Sequence, residues 1–519
     1  MLIQLLFTAV SLILTLLFFL YGFNHYFLLN AARRYKTPAL PEHSTFRPAV
    51  SVHLPIYNER YVIRRLVNAC ACMAEAYGKE KVKILILDDS DDETVLEVDR
   101  VAGDYKQKNF LIEVVRRGNR NGYKAGALQA ALQITPQEFI AIFDADFIPP
   151  ADFLLRTLPY FERNERLGIV QTRWTYFNKE DSLVTRAISH AIDVHFLIEQ
   201  PGRYAAGVFQ NFNGSGGVLR TRAIVDAGGW HADTLAEDLD LSYRMQTRGY
   251  RILYLRDVQS PGEIPPTIPN FKQQQGRWAC GSLRVARKLL PGILRNRQLG
   301  FRQQLQAFLH LTGYMIQPLM VFTFVLSCLA AVLGVNIFPI PRVTTLIPAY
   351  SAFFTAGTGP LFLLQNLAWV SLALGIALYT FAPWISLVST LKIQNLPLYG
   401  NLASLLVLLL LCIGISLSTL RGVGRALFTN RSWEWTRTPK YDEAQKDRDW
   451  RRSKYQMPLD RLWIMEFAFV MAGLWAIGVA VGHRNYNVLF ILVPFTLSYG
   501  FVLWFSILQS RKATRGYSR

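Results

Sequence analysis

Long apolar segments constrain the fold of this chain more than any other feature of its sequence. The first, Leu2–Leu29, is long enough to cross the hydrocarbon core of a bilayer as one helix. No basic residues precede it and no small-residue cleavage site follows it, so we interpret it as a membrane helix and not as a cleavable signal peptide. Five further candidate spans follow Gln306, namely Phe308–Leu333, Ala368–Thr390, Asn401–Leu420, Leu462–Val481 and Val488–Leu508.

Basic residues set the expected topology, because Lys and Arg gather on the cytoplasmic side of membrane proteins. The segment Arg421–Arg461 and the tail after Leu508 are both rich in them, and basic residues also follow the first span. A weaker apolar segment, Thr344–Leu364, is broken by prolines and glycines. Counting it as a span places the central soluble region, the basic segment and the C-terminus on the cytoplasmic side, so we predict seven spans.

The composition agrees with a chain that is part soluble and part membrane. Hydrophobic residues make up 51% and charged residues 18%, and the formal net charge is +19. A basic balance can indicate nucleic acid, but the apolar content and the lack of a nucleic-acid motif point to the lipid bilayer as the partner instead. The cysteines are scattered and lack the spacing of a zinc site.

Between the first span and Asn296 the sequence is globular in character. Short β-rich runs alternate there with helical patterns, which predicts βαβ units and a mainly parallel sheet. The expected strands are Ala49–Leu54, Val82–Leu87, Phe110–Val115 and Phe139–Phe143, and the expected helices are Glu59–Tyr77 and Lys124–Gln133. After this region, Leu283–Arg302 alternates basic and apolar residues, which predicts a helix in the membrane interface.

Polar motifs follow the first two predicted strands, where ligands bind in open α/β sheets. Pro55-Ile56-Tyr57-Asn58-Glu59 ends the first strand, and a helix N-terminus is expected to face the same crevice. Asn58 could equally cap that helix. Asp88 and Asp89 follow the second strand and could bind a base or a ribose hydroxyl, or could form only a turn.

Two further motifs point to a diphosphate and a metal ion. Lys124 lies with glycines at a predicted helix start, which is a suitable place for a diphosphate, although a solvated basic turn is the alternative. Asp144 and Asp146 stand at the tip of a strongly apolar strand. Because hard divalent cations prefer carboxylate oxygens and bridge to phosphates, this pair predicts an Mg²⁺ or Mn²⁺ site.

The last two motifs suit the acceptor side of a transfer reaction. Inverting attack by an acceptor hydroxyl needs a base, and Asp238 in Leu235–Asp240 is our candidate, with Glu237 beside it. One of these acids could instead serve the helix dipole. In the motif Gln274–Trp278, Trp278 offers a face for a sugar ring, and Gln274 and Arg277 offer donors, Arg277 to a leaving diphosphate.

Taken in order, these motifs resemble those of family 2 processive glycosyltransferases, which include cellulose, hyaluronan, chitin and mannan synthases. The runs around Gln171–Trp174, Asn213-Gly214 and Gly228–Trp230 are most similar to plant mannan and glucomannan synthases. The resemblance implies an α/β GT-A domain, a Rossmann-like mixed sheet in the cytoplasm, joined to a multi-span α-helical membrane domain. The expected divisions are 1–30, 38–282, 283–305, 306–420, 421–461 and 462–519.

The resemblance also implies a role for individual residues. Nucleotide contacts are implied for Pro55, Tyr57, Glu59 and Asp88 or Asp89, metal coordination for Asp146, and ribose or phosphate contact for Asp144. Gln274, Arg277 and Trp278 would border acceptor and donor at a channel mouth, and the loop of Asn213, Gly214 and Ser215 would meet the acceptor. Trp435, Thr438 and Lys440 resemble a gating loop, from which Arg437 departs.

The expected function is an inverting β-glycosyltransferase that extends a polysaccharide and passes it across the membrane. Its expected partners are a nucleotide-sugar donor, GDP-mannose or UDP-glucose, and a growing glycan or lipid acceptor. A glycolipid synthase with one lipid acceptor is the main alternative, and a transporter is a second. His190 and His195 lack a third ligand and are expected to be surface or packed histidines and not metal ligands. Accessory proteins are not indicated.

Overall fold

The computed structural model describes residues 2–41, 44–335, 381–429 and 459–516. Three sequence predictions fall wholly or partly outside these ranges. They are the weak span Thr344–Leu364, the first part of the span Ala368–Thr390, and the gating-loop residues Trp435, Thr438 and Lys440. These stay predictions.

The soluble region is built on one mixed sheet of seven strands. The strands are β1 Val50–Ile56, β2 Val82–Asp88, β3 Leu111–Val115, β4 Phe139–Ile142, β5 Leu167–Tyr176, β6 Gly217–Arg220 and β7 Arg251–Gly262. Their order across the sheet is β3-β2-β1-β4-β6-β5-β7. Strands β1 to β4 run parallel, and β6 is antiparallel to its neighbours β4 and β5. The four strands predicted from the sequence are confirmed to within about two residues at their ends.

Helices cover both faces of this sheet and also form the membrane region. In chain order they are α1 Leu2–Ala32, α2 Ile63–Tyr77, α3 Thr94–Gln107, α4 Tyr123–Gln133, α5 Phe153–Thr157, α6 Leu183–Val194, α7 Gln200–Ala206, α8 Thr221–Asp226, α9 Glu237–Thr247, α10 Ile268–Arg295, α11 Phe301–Leu311, α12 Ile316–Val332, α13 Phe381–Ile393, α14 Leu402–Gly414, α15 Ser416–Phe428, α16 Leu462–Gly482 and α17 Leu489–Gly516. A π-helical turn, His195–Glu199, joins α6 to α7.

The apolar strands explain why the sheet is covered on both faces. Along β2, Ile84 belongs to a core shared with α2, α3 and α5, whereas its neighbour Leu85 belongs to a second core shared with α4, α8 and α9. Successive side chains of a strand point to opposite faces, so a strand that is apolar at consecutive positions must be buried on both. The predicted α/β class is confirmed.

The start of α2 differs from the sequence prediction. We expected the helix from Glu59, with Asn58 as a possible cap, but α2 begins at Ile63 and Val62 occupies the capping position. Asn58 instead has a φ of 55° and exchanges two hydrogen bonds with Asp91 in the loop after β2, at 2.8 and 3.0 Å. This tertiary contact occupies the side chain, so Asn58 links two strand-end loops and does not cap the helix.

The predicted interfacial helix Leu283–Arg302 also differs from what the structure contains. Its first part, up to Arg295, is the continuation of α10, which the Thr267 side chain caps. The apolar face of this part includes Val285 and packs with Tyr243 of the soluble domain. The apolar positions of this helix thus contact the soluble domain, and the expected division between 282 and 283 falls inside a helix. Its placement in the membrane interface stays a prediction.

Five helices of the described ranges are long and apolar enough to cross a membrane. One precedes the sheet, at Ala9–Ala32, and four follow it, at Gly313–Leu333, Tyr399–Phe428, Leu462–Gly482 and Tyr486–Ser510. They coincide with five of the seven predicted spans. The third of them extends beyond the predicted end at Leu420, because α15 continues through the basic residues that follow.

Helix α10 connects the soluble domain to this membrane region through very close packing. A Cβ on Gly422 of α15 would lie 2.2 Å from the Gly276 carbonyl oxygen of α10, so only glycine allows the two backbones to approach this far. The Ser418 hydroxyl donates to the Lys272 carbonyl at 2.8 Å. Lys272 also forms a buried ion pair with Glu466 of α16. The helix that carries Gln274, Arg277 and Trp278 is thus held directly against two candidate membrane helices.

Candidate active site

The carboxyl ends of β1, β2 and β4 meet at one edge of the sheet. Ile56 is in register with Asp88, and the Asp89 N–H donates to the Ile56 carbonyl at 3.0 Å. The loop after β4 begins at the same level, since the Phe143 N–H donates to the His53 carbonyl. Motifs far apart in sequence therefore converge here, and they are Pro55, Tyr57, Glu59, Asp88, Asp89, Asp144 and Asp146.

Both carboxylates after β2 are paired with arginines that the sequence analysis did not single out. The Asp88 carboxylate is fully buried, receives the Arg116 Nε at 2.9 Å and receives the Ser90 N–H at 3.0 Å. Asp89 is paired with Arg117, which also donates to carbonyls at the start of α4. The two arginines follow β3 directly, so their position at the end of the next parallel strand was a usable signal.

An aromatic ring and a guanidinium group stack beside these carboxylates. The Arg120 guanidinium carbon lies 3.2 Å from the centroid of the Tyr57 ring, and the Tyr57 hydroxyl donates to Asp91 at 3.3 Å. Arg120 comes from the loop before α4 and Tyr57 from the end of β1. The stack therefore links two of the motifs that were predicted to face one ligand.

Lys124 is the central cation of the site. Its Nζ lies 2.6 Å from an Asp144 carboxylate oxygen, 2.9 Å from the Gly214 carbonyl oxygen and 3.6 Å from a Glu237 oxygen. Burial works against the charged form of this amine, but Asp144 and Glu237 outweigh it and hold the pKa of Lys124 above its usual value. The lysine thus joins the tip of β4, the 213–215 loop and the start of α9.

Asp146, two residues beyond Asp144, is 5% exposed and faces a different group. One of its carboxylate oxygens receives the Glu263 N–H at 3.3 Å, and the Glu263 side chain pairs with Arg65 at 3.1 Å. Asp144 and Asp146 supply carboxylate oxygens at a strand tip, which is the donor type that Mg²⁺ and Mn²⁺ take. The two side chains therefore fit a divalent cation chemically, with Lys124 already bound to one of them.

A second carboxylate cluster lies elsewhere and does not fit a metal ion. His231, Asp233 and Asp240 bring potential ligand atoms within 4.8 Å of one another. The Lys288 ammonium lies 2.9 Å from each of these three side chains, and Arg244 also pairs with Asp240. A cationic group therefore already occupies the place that a metal would take, and we interpret the cluster as a structural ion-pair network.

Asp238, the predicted base, lies at the start of α9 against the 213–215 loop. Gly214 has a φ of 82°, and a Cβ on it would lie 2.8 Å from the Asp238 carboxylate. Burial and the neighbouring Glu237 raise the pKa of Asp238 to about 7, against the opposing charge of Lys124. Just before it, Leu235 has a φ of 65°, which is uncommon for a bulky residue and is found where function constrains the backbone.

The 213–215 loop is fixed by hydrogen bonds with Asp144, Trp174 and Gln171. The Ser215 hydroxyl accepts from the Asp144 N–H at 2.9 Å, and the Ser215 carbonyl accepts from the Trp174 indole at 2.9 Å. The buried Gln171 side chain accepts from the Asn213 N–H at 2.9 Å. Gln171 and Trp174 were noted in the sequence only as part of a family-like run, and the structure explains that run as support for this loop.

The motif on α10 completes the arrangement. Arg277 lies within electrostatic reach of Glu237, Asp144 and Asp238, and its pKa is lowered because burial outweighs these negative charges. Within the described ranges, the Gln274 side-chain oxygen is buried and receives no hydrogen bond. Trp278 is partly exposed on the same helix. Arg277 thus brings α10 close to the carboxylates of Asp144, Glu237 and Asp238, while the predicted gating-loop residues fall outside the described ranges.

The sequence matches two family models. One, described as Glycosyl transferase family group 2, matches residues 139–417, and the other, Glycosyl transferase family 2, matches residues 51–216. The first match covers more than half of the chain. The chain belongs to glycosyltransferase family 2 and is a glycosyltransferase.

Curated relatives of this chain have more specific names. The chain is 37% identical over 283 residues to the probable glucomannan 4-beta-mannosyltransferase 4 of Oryza sativa subsp. japonica, covering 53% of this chain and 51% of the relative. It is 35% identical over 318 residues to the probable glucomannan 4-beta-mannosyltransferase 10 of Arabidopsis thaliana, covering 60% and 56%. The chain spans about half the length of the curated relatives it matches.

A solved structure shares the fold. The mannosyltransferase PcManGT from Pyrobaculum calidifontis, in complex with GDP-Man and Mn²⁺, matches with a TM-score of 0.50 and 19% identity, covering 73% of this chain and 99% of that one. At this identity the likeness shows the fold alone. It confirms the GT-A-like mixed sheet that the motif order implied.

Proposed function

We propose that this glycosyltransferase is an inverting enzyme that extends a β-linked polysaccharide from a nucleotide sugar and passes the product into the membrane region. One observation carries the proposal. Lys124 binds Asp144 at the end of β4, the 213–215 loop and Glu237, so the residues suited to a donor and those suited to an acceptor surround one cation. Such a group can hold a diphosphate on one side and a sugar hydroxyl on the other.

The donor half of the site consists of Pro55, Tyr57, Glu59, Asp88, Asp89, Lys124, Asp144 and Asp146. Within it, the Tyr57 ring and the carboxylates after β2 suit a nucleoside, and Lys124 suits a diphosphate. Arg116 and Arg117 hold Asp88 and Asp89 in place. We assign them a positioning role, because each arginine pairs with the carboxylate that would meet the nucleoside.

A divalent cation is expected to bind in the donor half. Asp146 would be its principal ligand, and Asp144 would contribute while it remains bound to Lys124. The ion supplies positive charge to the leaving diphosphate. Mn²⁺ accompanies GDP-Man in the structure of PcManGT, and either Mn²⁺ or Mg²⁺ suits these carboxylates.

The acceptor half consists of Asn213, Gly214, Ser215, Glu237, Asp238, Gln274, Arg277 and Trp278. We assign Asp238 as the base that removes the proton from the acceptor hydroxyl. Its raised pKa suits this role, because a base with a pKa near the working pH can both exist ionised and hold a proton during transfer. Arg277 can balance negative charge that develops on the leaving group.

The position of α10 favours a polymer that leaves through the membrane region. The helix carries Gln274, Arg277 and Trp278 and touches α15 through Gly276 and Gly422. An acceptor bound at Trp278 would therefore lie next to candidate membrane helices. A glycolipid synthase would also need its acceptor near the membrane, so this alternative is retained and separated by experiment.

Mannose is the favoured sugar, because the curated relatives are glucomannan mannosyltransferases. The decisive experiment incubates the purified protein in lipid nanodiscs with radiolabelled GDP-mannose or UDP-glucose, with Mn²⁺, Mg²⁺ or a chelator. We expect a high-molecular-weight product that β-mannanase digests. A product that partitions entirely into chloroform would overturn the polymer proposal in favour of the glycolipid synthase.

Passage across the membrane needs a separate assay. Sealed vesicles with the soluble domain outside should accumulate labelled polymer that external β-mannanase cannot digest until detergent is added. Polymer that stays fully digestible outside the vesicles would contradict translocation while leaving synthesis intact. An Asp238→Asn variant measures the background signal, because it lacks the proposed base.

A further inference from the structure

A histidine and a glutamate that neither half of the site includes lie directly behind Asn213. The His195 Nε2 lies 2.9 Å from the Asn213 side-chain nitrogen, and the His195 Nδ1 lies 2.9 Å from a Glu199 carboxylate oxygen. Both residues belong to the π-helical turn between α6 and α7. π-Helical turns are rare in proteins overall, and those that occur are often found at functional sites. The backbone conformation is therefore consistent with a functional role for this pair.

Hydrogen-bonding rules determine the direction of each bond in this network. The Gln200 side-chain nitrogen lies 2.8 Å from the Asn213 side-chain oxygen and 2.7 Å from the Asn211 carbonyl. An amide nitrogen only donates, so Asn213 must turn its oxygen to Gln200 and its nitrogen to His195. The His195 Nε2 therefore accepts, its proton is on Nδ1, and that proton is donated to Glu199.

Glu199 is well suited to stabilise the His195 tautomer that has its proton on Nδ1. Burial opposes its charged form, but the hydrogen bond from His195 and the nearby positive charges outweigh burial and lower the pKa of Glu199. The carboxylate is therefore ionised at neutral pH and accepts the Nδ1 proton. A carboxylate that orients an imidazole so that its second nitrogen can accept is a common means of fixing the imidazole's partner.

The π turn is itself held rigidly by the first membrane helix. Gly202 in α7 packs so closely on α1 that a Cβ there would lie 2.4 Å from the Leu28 carbonyl oxygen. Helix α11 adds a second support, because the Arg302 guanidinium donates to the Ala206 carbonyl at 2.7 Å. The backbone that follows the π turn is therefore packed against α1 and bonded to α11.

We propose that His195 and Glu199 are positioning residues that hold the Asn213 amide towards a hydroxyl group of the acceptor sugar beside Asp238. This inference rests on the proposed function. Asn213 keeps one amide hydrogen after its bonds to His195 and Gln200, and this hydrogen can be donated to a sugar hydroxyl. Gly214, the next residue, lies against the Asp238 carboxylate, so Asn213 is one residue away from the loop position that contacts the proposed base.

The test uses the full chain in nanodiscs, with GDP-mannose and manno-oligosaccharides of defined length as acceptor probes. Transfer to the oligosaccharide and hydrolysis of the donor by water are measured separately. We expect His195→Ala to raise the acceptor KM by about tenfold to a hundredfold, since small misplacements of reacting groups have effects of this size. The donor KM and the hydrolysis rate without acceptor should stay within about twofold of the wild type.

Conservative variants distinguish positioning from general packing. His195→Gln can still accept from Asn213 through its side-chain oxygen and should recover most of the acceptor KM, and Glu199→Gln should have an intermediate effect because it can accept from Nδ1 but lacks the charge. His190→Gln is the matched control. His190 lies one turn earlier, is buried and bonds to Ser404 of α14 without touching Asn213.

An unchanged acceptor KM in His195→Ala, or an equal increase in His190→Gln, would overturn the inference. If His195→Ala does not fold, the test uses the wild type, His195→Gln and Glu199→Gln. We then expect the acceptor KM to rise in that order. Equal acceptor KM values for the three proteins would overturn the inference. A wild-type protein that transfers no sugar from any donor refutes the proposed function instead. The two failures are therefore distinguishable, because the second removes activity from every variant alike.

Discussion

The donor half and the acceptor half of the candidate site stabilise their carboxylates in different ways. In the donor half, Asp88 and Asp89 are each paired with an arginine from the end of the adjacent strand. In the acceptor half, Asp238 is next to Glu237, shares Lys124 with two other acids, and has a pKa raised to about 7. The arginine pairs fix the positions of the Asp88 and Asp89 carboxylates, whereas a carboxylate with a pKa raised to about 7, such as Asp238, can exchange a proton near neutral pH.

The two halves also differ in their attachment to the rest of the molecule. The donor half stands on β1, β2 and β4, which are buried strands of one sheet. The acceptor half depends on α10, which touches the candidate membrane helix α15 at Gly276 and Gly422, and on the 213–215 loop, in which Asn213 bonds to the π turn before α7. Changes in the membrane region should therefore affect the acceptor half first.

The largest expected effect concerns the base. Asp238→Asn should lower kcat by about 10² to 10⁴-fold, the usual contribution of a general base, while donor affinity stays nearly constant. Calorimetric titration with GDP-mannose measures the affinity. Asp233→Asn is the control, because Asp233 is largely exposed and lies outside the site. Equal activity of the two variants would contradict the assignment of the base.

The next largest effect is expected when the ion pair between α10 and α16 is removed. The Lys272–Glu466 pair is almost completely buried, so Lys272→Met should destabilise the protein by about 3–5 kcal/mol by leaving Glu466 unpaired. The double variant Lys272→Met with Glu466→Leu should recover most of this loss, because it removes both charges. Thermal inactivation in nanodiscs measures each change. Additive losses in the double variant would contradict coupling between the two residues.

A smaller effect is expected where α10 touches α15. Gly422→Ala places a methyl group against the Gly276 carbonyl, and overpacking of this kind costs about 1–3 kcal/mol. We expect it to raise the acceptor KM more than the donor KM, because Gln274 and Trp278, which are assigned to the acceptor, lie on α10, whereas the donor half stands mainly on the strands β1, β2 and β4. Gly424→Ala is the matched control, since a Cβ at Gly424 meets nothing within 4 Å. Equal changes in the two KM values would show that the halves are not mechanically separate.

The smallest effect is a shift in the pH profile. The base acts when ionised, and its pKa is raised, so the rate should fall as the pH drops through about 7. Glu237→Gln removes a negative charge that contributes to this rise, so the acid limb should move to lower pH. The rate is measured at saturating donor between pH 5 and 9, which is about two pH units on either side of that pKa. A limb that moves to higher pH would refute the assignment.

Much of the fold could be read from local patterns. The β1, β2 and β4 strands were predicted because short β-rich runs alternate with helical patterns, and the family resemblance carried by the motif order implied the GT-A class. The helix boundaries were less predictable, as α10 illustrates. Its apolar positions suit burial in the membrane interface as well as burial against Tyr243, and periodicity alone cannot distinguish these partners.

The first apolar span and the polar motifs at the strand ends were determined by the sequence itself, because hydrophobic length and strand periodicity are local properties. Tertiary structure decided what those polar groups contact. Arg117 after β3 contacts Asp89 after the neighbouring strand β2, and Lys124 contacts Gly214, 90 residues further along the chain. His195 contacts Asn213 from a π turn. Such contacts depend on chain crossings that bring distant segments together, and no local pattern encodes their distances or their charges.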